Sequence, residues 1–253
     1  MKRQLFWLSQ EEWDRIEPYL PQGRRGARRV DDRRVISGII HMLKTGARWR
    51  DCPPEYGPYT TIYNRFNRWS KQGVWEDVFY ALSGSSGVIS TTAVDSTHVK
   101  AHRSAAGAKG GNFEHAIGRS RGGRTTKVHA LSDASGRPIA FTLTAGQAHD
   151  LVGVAPLLAR VPTPRQLIAD RAYDAKKLRD WLAERGCQAV IPPNPTRKHP
   201  HAWDRTAYKS RNLIERMFCR LKDFRRIATR YDKRADTFLS AVYIAATIIW
   251  WLN

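Results

Sequence analysis

The sequence predicts an α/β protein of 253 residues in two parts. Residues 1–82 read as a small all-α domain with a helix-turn-helix-like pattern, residues 83–87 as a linker, and residues 88–253 as a mixed sheet with flanking helices. Three observations lead there. Caps and helical periodicity dominate before the small, polar run Ser83-Gly84-Ser85-Ser86-Gly87. Segments rich in β-branched residues, with period two, follow it. From about residue 150, short apolar runs alternate with helical patterns, as they do in layered α/β domains.

The helical part starts with Ser9-x-x-Glu12, a capping box that opens a helix carrying Trp13, Ile16 and Leu20. Asp31-Asp32 opens a second helix, with Val35, Ile39, Ile40 and Leu43 on one face and an end near Gly46. A Pro-containing turn from Cys52 to Pro58 leads into a third helix over about 60–71. Its Ile62, Phe66 and Trp69 share an inner face, and Asn64, Asn67, Arg68 and Lys71 share the outer one. Exposed Asn and Arg on such a helix can read adenine and guanine in a major groove. The same pattern fits a helical bundle with a solvated face. The run Arg24-Arg25-Gly26-Ala27-Arg28-Arg29 suits phosphates or a minor groove.

Beyond the linker, residues 88–94 read as the first strand. Residues 125–131 and 138–144 are the next two, joined by the turn Ser132-Asp133-Ala134-Ser135-Gly136. Residues 166–169 and 188–191 read as short buried strands, with helices at about 150–159 and 175–185. The apolar stretch 238–252 is shorter than the roughly 20 residues of a membrane span and reads as a buried C-terminal helix.

Lys and Arg number 43 against 23 Asp and Glu, a net charge of +20, which points to a polyanionic partner, most simply nucleic acid. A hydrophobic fraction of 42% excludes general disorder. Cys52, Cys187 and Cys219 have neither disulfide-framework nor zinc-finger spacing and fit a reducing cytoplasm. Met1 to Ser9 lacks a secretory pattern. No phosphate-loop spacing supports an ATP-driven motor.

Asp95 directly follows the apolar run ending at Val94, and Asp170 the run ending at Ala169. Carboxylates at the carboxyl ends of two strands can converge in one crevice. Either one alone also fits a cap or a turn. Asp174 competes with Asp170, but it directly precedes Ala175 and reads as the cap of the next helix. A third acid comes with a pattern. Tyr208, Arg211 and Lys222 each fall within about 40° of Glu215 on a helical wheel, opposite the apolar Leu213, Met217, Leu221 and Phe224. The stripe fits internal pairing among Arg211, Glu215 and Lys222, or a carboxylate flanked by DNA-binding cations. Residues 197–234 hold 13 Lys and Arg against four acids, and residues 100–127 seven against one. Carboxylates hold oxygen-loving cations, and Lys and Arg hold phosphates. Two ions roughly 4 Å apart can activate a nucleophilic oxygen and stabilise a leaving one.

These residues resemble the DDE transposases of bacterial insertion sequences, on the IS-five branch of the IS-four superfamily, over nearly the whole chain. The spacing Tyr208-(2)-Arg211-(3)-Glu215-(6)-Lys222 fits that superfamily's Y-(2)-R-(3)-E-(6)-K signature. Residues 94–102, 116–127, 169–174 and 225–233 are also similar to the family's text. The resemblance implies a ribonuclease-H-like catalytic fold in which Asp95, Asp170 and Glu215 are catalytic and ligate two Mg²⁺ ions, with Mn²⁺ as a substitute. It implies that Tyr208, Arg211 and Lys222 contact DNA near the cleaved end. Arg119, Arg121 and Arg124 of the basic segment, with Asn64, Asn67, Arg68 and Lys71, complete the DNA-binding candidates. The implied protein is a transposase acting on double-stranded DNA, both terminal inverted repeats and target. It cleaves the ends by hydrolysis and joins their 3′-hydroxyls by transesterification. It works as a homodimer on DNA, in the bacterial cytoplasm on the nucleoid, without a membrane. Two other readings stay open: a DNA-binding repressor without catalysis, and a metal-dependent nuclease without strand transfer.

Overall fold

The computed structural model describes residues 4–22, 31–84, 90–107, 111 and 115–252. The basic run Arg24 to Arg29, linker residues 85–87 and the start of the expected first strand lie outside the described residues. The capping box closes as its spacing predicts. Ser9 Oγ accepts the Glu12 amide, the Glu12 carboxylate accepts the Ser9 amide, and helix α1 runs Gln10–Ile16.

Asp31 caps the next helix by accepting the Arg34 amide, and α2 runs Asp32–Thr45. It stops at Gly46, whose φ of 72° is the left-handed geometry that a glycine adopts at little cost. The sequence reading gives α2 one apolar face, yet it is buried continuously from Val35 to Leu43. Helix α3 (Tyr59–Lys71) covers part of it, and α4 (Val74–Ser83) follows. The C-terminal helices Arg225–Ala228 and Ala235–Ala246 cover the rest. The Tyr243 ring packs 5.1 Å from Phe79, and Arg15 donates to the Leu252 carbonyl at 3.2 Å.

The first compact unit breaks at Ser83, within the expected linker, and the described residues from 220 onward belong to it and not to the sheet unit. Described residues 4–83, 102–107 and 220–252 form one compact unit, and 90–101 with 115–219 form another. The reason is apolar area: α2 presents more apolar surface than the N-terminal helices can cover.

In the second unit, β1 (Thr91–Ala101) runs past the expected residue 94. The strands that follow are β2 (Gly118–Ser120), β3 (Gly123–Ser132) and β4 (Pro138–Ala145). After a turn at Asp150–Gly153 come α5 (Val154–Leu158), β5 (Gln166–Ile168), α6 (Lys176–Ala183) and β6 (Gln188–Val190). The strand order is β2-β3-β1-β5-β6, with β4 also on β3. β1 pairs antiparallel with β3 and parallel with β5, so the sheet is mixed. Val94, Leu131 and Ala140 on one face pack with Val154 and Leu157 of α5 and Leu178 and Leu182 of α6. The expected helix at 150–159 begins as a tight turn, and β2 is an addition to the expected strands. The Glu-bearing helix is also interrupted. It comprises α7 (Arg205–Tyr208), a 3₁₀ turn at Lys209–Arg211 and α8 (Asn212–Lys222). Among the described residues, no helix is long and apolar enough to cross a membrane.

Candidate active site

Register brings the two aspartates level. The parallel ladder between β1 and β5 ends at the pair Ala93 and Ile168, and each strand reaches its aspartate two residues later. Asp95 and Asp170 therefore emerge side by side at the carboxyl end of the parallel pair, where α/β crevices form. Each uses one oxygen locally. Asp95 Oδ1 accepts the Ser96 amide at 2.8 Å, and Asp170 Oδ1 accepts the Ala172 amide at 2.8 Å to cap the turn Arg171–Tyr173. Each second oxygen points to the same cation. Arg211 Nη2 lies 2.8 Å from Asp95 Oδ2 and 3.8 Å from Asp170 Oδ2, and Arg211 Nη1 lies 2.7 Å from Glu215 Oε1. Glu215 sits in the first turn of α8, where the positive end of the helix dipole favours a carboxylate. Three acids distant in sequence thus meet on one guanidinium, all within the second unit.

Burial, together with Asp170 and Glu215, pushes the Asp95 carboxyl up to about 6, against the opposing pull of Arg211 and the Ser96 amide. Among the described residues, no group of three His, Cys, Asp or Glu is arranged to hold a metal ion, and Arg211 stands among these three carboxylates. The donor chemistry nevertheless fits a hard divalent cation: all three acids offer carboxylate oxygens, and those oxygens already converge on positive charge.

Behind Asp95, on the other face of the sheet, lies a polar cluster that the sequence reading does not single out. Ser96 Oγ donates to Asp150 Oδ1 at 2.5 Å. The buried Lys127 ammonium donates to the same oxygen at 2.9 Å and to the Ala148 carbonyl at 2.7 Å. Burial pushes Asp150 up, but Ser96 and Lys127 outweigh it and hold the carboxyl below its ordinary value. Neighbouring His129 bonds Thr144 Oγ1 at 2.7 Å, and burial lowers its pKa to about 4, so it is neutral. Gly153 leaves room for that ring, since a Cβ there would lie 2.4 Å from it. β3 is buried on both faces from Thr125 to Ser132, so its period-two alternation, with Lys127 and His129 opposite Val128 and Ala130, gives no sequence signal for the cluster.

Asp174 is not the helix cap expected of it. Helix α6 has no side-chain cap, and Ala175 holds the cap position. The Asp174 side chain, 1% exposed, pairs with Arg179 at 2.7 Å and Arg197 at 2.6 Å and accepts the Asn194 amide. It is a structural anion. Tyr208, on α7, packs edge-on against Trp203, and Lys222 is the last residue of α8, in the first unit. The 3₁₀ turn interrupts the expected stripe, yet Arg211 still reaches Glu215 four residues on. Arg119 and Arg124 are exposed and directly opposite each other across β2 and β3, and Arg121 lies in the turn between them. A groove of about 500 Å³ beside them is lined by His98, Lys100, Ser120, Arg121 and Thr125. On α3, Asn64, Arg68 and Lys71 are exposed and Asn67 is half-buried. Tyr59 and Tyr63, which the sequence reading passes over, share that exposed side.

A mixed sheet in this order, with carboxylates meeting at the ends of its parallel pair and at the start of a following helix, is the ribonuclease-H-like architecture. Comparison with known proteins agrees. The chain belongs to the DDE-domain transposases: residues 86–250 match the family model described as "Transposase DDE domain", and residues 8–79 match a transposase model of the IS4/5 family. A protein of Brucella ovis named as a transposase for insertion sequence element IS6501 is 39% identical over 127 residues, covering 50% of this chain and 98% of that protein. One from Burkholderia cepacia, named for insertion sequence element IS402, is 31% identical over 137 residues, covering 50% of this chain and 63% of that protein. Among solved structures, a piggyBac transposase synaptic complex with hairpin DNA aligns with a TM-score of 0.53, covering 96% of this chain and 72% of that one at 8% identity, a likeness of fold.

Proposed function

We propose that the protein is the transposase of an insertion sequence. It binds the terminal inverted repeats, hydrolyses phosphodiesters at the ends and joins the freed 3′-hydroxyls to target DNA. The observation that carries this reading is the convergence of Asp95, Asp170 and Glu215 on one point from three separate elements. These carboxylates would hold two Mg²⁺ ions, or Mn²⁺ in their place. When bound, the ions supply the Lewis acidity that in-line displacement at phosphorus needs at the attacking and leaving oxygens.

The chain's other residues position the DNA. Arg211, Lys222 and Tyr208 serve the strand at the cleaved end. Arg119, Arg121 and Arg124 serve the backbone. Like charges directly opposite each other destabilise a strand pair, and a polyanion across Arg119 and Arg124 removes that cost. Asn64, Asn67, Arg68 and Lys71 form the reading face of α3, in a helix-turn-helix-like role. Two ends must be paired, so the working form is a homodimer on DNA, located on the nucleoid.

The test is incubation with Mg²⁺, a labelled duplex carrying the ends of the element that encodes the chain, and a plasmid target. Cutting and joining are expected. Asp95→Asn, Asp170→Asn and Glu215→Gln should each abolish both and keep end binding. Cutting without joining would make the protein a nuclease, and binding with neither a repressor.

A further inference from the structure

The three carboxylates meet on a cation that the chain itself supplies. We propose that Arg211 is a positioning residue with two states: in the metal-free protein it holds Asp95, Asp170 and Glu215 in register, and it leaves them when divalent ions bind, freeing its guanidinium for a DNA phosphate. The inference rests on the metal-holding reading of those acids given above.

Four observations carry it. Each aspartate meets Arg211 through the oxygen that it does not use on the neighbouring backbone, so the guanidinium occupies the remaining oxygen of both. A planar fork with several donors can span acceptors from three elements, which a lysine ammonium does less well. The Arg211 Nε is buried with no partner, so the carboxylates supply the hydrogen bonding that fixes the head. Finally, the cluster is reachable from solvent: the Glu215 and Asp170 side chains are 54% and 34% exposed. One positive charge also leaves three carboxylates under-compensated. A purely structural pair would need neither solvent access nor a third acid. Arg211 lies in the 3₁₀ turn between α7 and α8, so the side chain can swing without unwinding α8.

The experiment uses the full chain without DNA. Mn²⁺ binding is titrated by electron paramagnetic resonance for the natural chain, Arg211→Gln and Arg211→Lys. Removing a competing cation at hydrogen-bond distance should tighten Mn²⁺ binding on the order of tenfold in Arg211→Gln, with Arg211→Lys between the two. In parallel, the Arg211 Nε–Hε resonance of the natural chain is followed during Mg²⁺ addition and should move in step with binding. Unchanged or weaker Mn²⁺ binding by Arg211→Gln overturns the proposal. Should that variant fail to fold, an Nε–Hε signal that stays fixed at saturating Mg²⁺ overturns it instead. If neither the natural chain nor the variants take up Mn²⁺, the metal-holding reading fails and this inference falls with it. Uptake with an unmoved Arg211 rejects only this inference.

Discussion

Asp170 and Asp174 show how far one residue can be read from sequence. Both follow the same apolar run, and strand-end placement favours Asp170, which lies 3.8 Å from the Arg211 guanidinium. The role of Asp174 is not legible there, because its partners Arg179 and Arg197 come from α6 and from a loop that only the fold brings near. Asp174→Asn leaves two cations facing a neutral amide, Arg179 being buried, so we expect a loss of about 3 kcal/mol in urea unfolding, far more than a missing cap would cost. Burial pushes the Asp174 carboxyl up, but Arg197, the Asn194 amide and Arg179 outweigh it and hold it well below the usual range. A depressed folded pKa contributes stability that is full above the unfolded value of about 3.9 and is lost as pH falls toward the folded one. The stability gap between the natural chain and Asp174→Asn should therefore be constant from pH 8 to about 5 and close below about 4. A gap that widens in acid would contradict the assignment. Asp95 has the opposite sign. Its carboxyl lies near 6, so the proton competes with metal below that value. Log Mn²⁺ affinity should rise by about one unit per pH unit below 6 and level off above it; a flat profile between pH 5 and 7 would remove Asp95 from the site.

At the scale of elements, the segments most legible in the sequence are those whose local signals agree: the Ser9 capping box, the Asp31 cap with Gly46, and the period-two strands. The hidden ones are elements set by pairing. β1 continues to Ala101 although Ser96, His98 and Lys100 are polar, because β3 pairs with it along that length and Ser96 and Lys127 find Asp150. β2 has only three residues and exists because β3 offers an edge. The α7–α8 break is invisible to a wheel that assumes one uniform helix: Arg211 still reaches Glu215, while Tyr208 lies on the separate α7 and packs on Trp203. The β2–β3 hairpin then permits a test with opposite signs. Replacing Arg119 and Arg124 together by Ala removes two like charges that face each other across the ladder. Thermal stability should hold or rise slightly. DNA affinity should fall, and the slope of log affinity against log salt should flatten by about 0.9 for each phosphate no longer neutralised. Melting measured beside a salt series of binding isotherms reads both; reduced stability with an unchanged slope would assign the pair to folding.

For the whole molecule, the change of composition at 83–87 coincides with a break between two compact units at Ser83, but the described residues from 220 onward return to the first unit. The apolar stretch 238–252 is legible as buried, but not what it is buried against. Sequence patterns show that a helix has an apolar face, not which distant helix covers it. Phe238, Val242 and Tyr243 are buried with α2, α3 and α4, and the Tyr243 hydroxyl lies 3.2 Å from the Glu76 carboxylate. Arg226, buried as well, donates to the Ala47 carbonyl just past the end of α2. A chain cut after Ser83 would leave the C-terminal side of Ile36, Ile39, Ile40, Phe79 and their neighbours in water. Full burial of each such side chain is worth about 1.5–3 kcal/mol, and a domain's whole margin is only about 5–15 kcal/mol. Exposing several of these side chains consumes that margin. We therefore expect fragment 1–83 to be expanded, without a cooperative thermal transition, and to bind a hydrophobic dye. Adding residues 220–252 as a separate chain should restore a cooperative transition, because those residues supply the C-terminal helices that cover α2, α3 and α4. DNA-end binding by the fragment should appear only with the added segment. Calorimetry on the fragment, with and without the added segment, checks this: a cooperative transition in the fragment alone would show that the N-terminal helices close their own core.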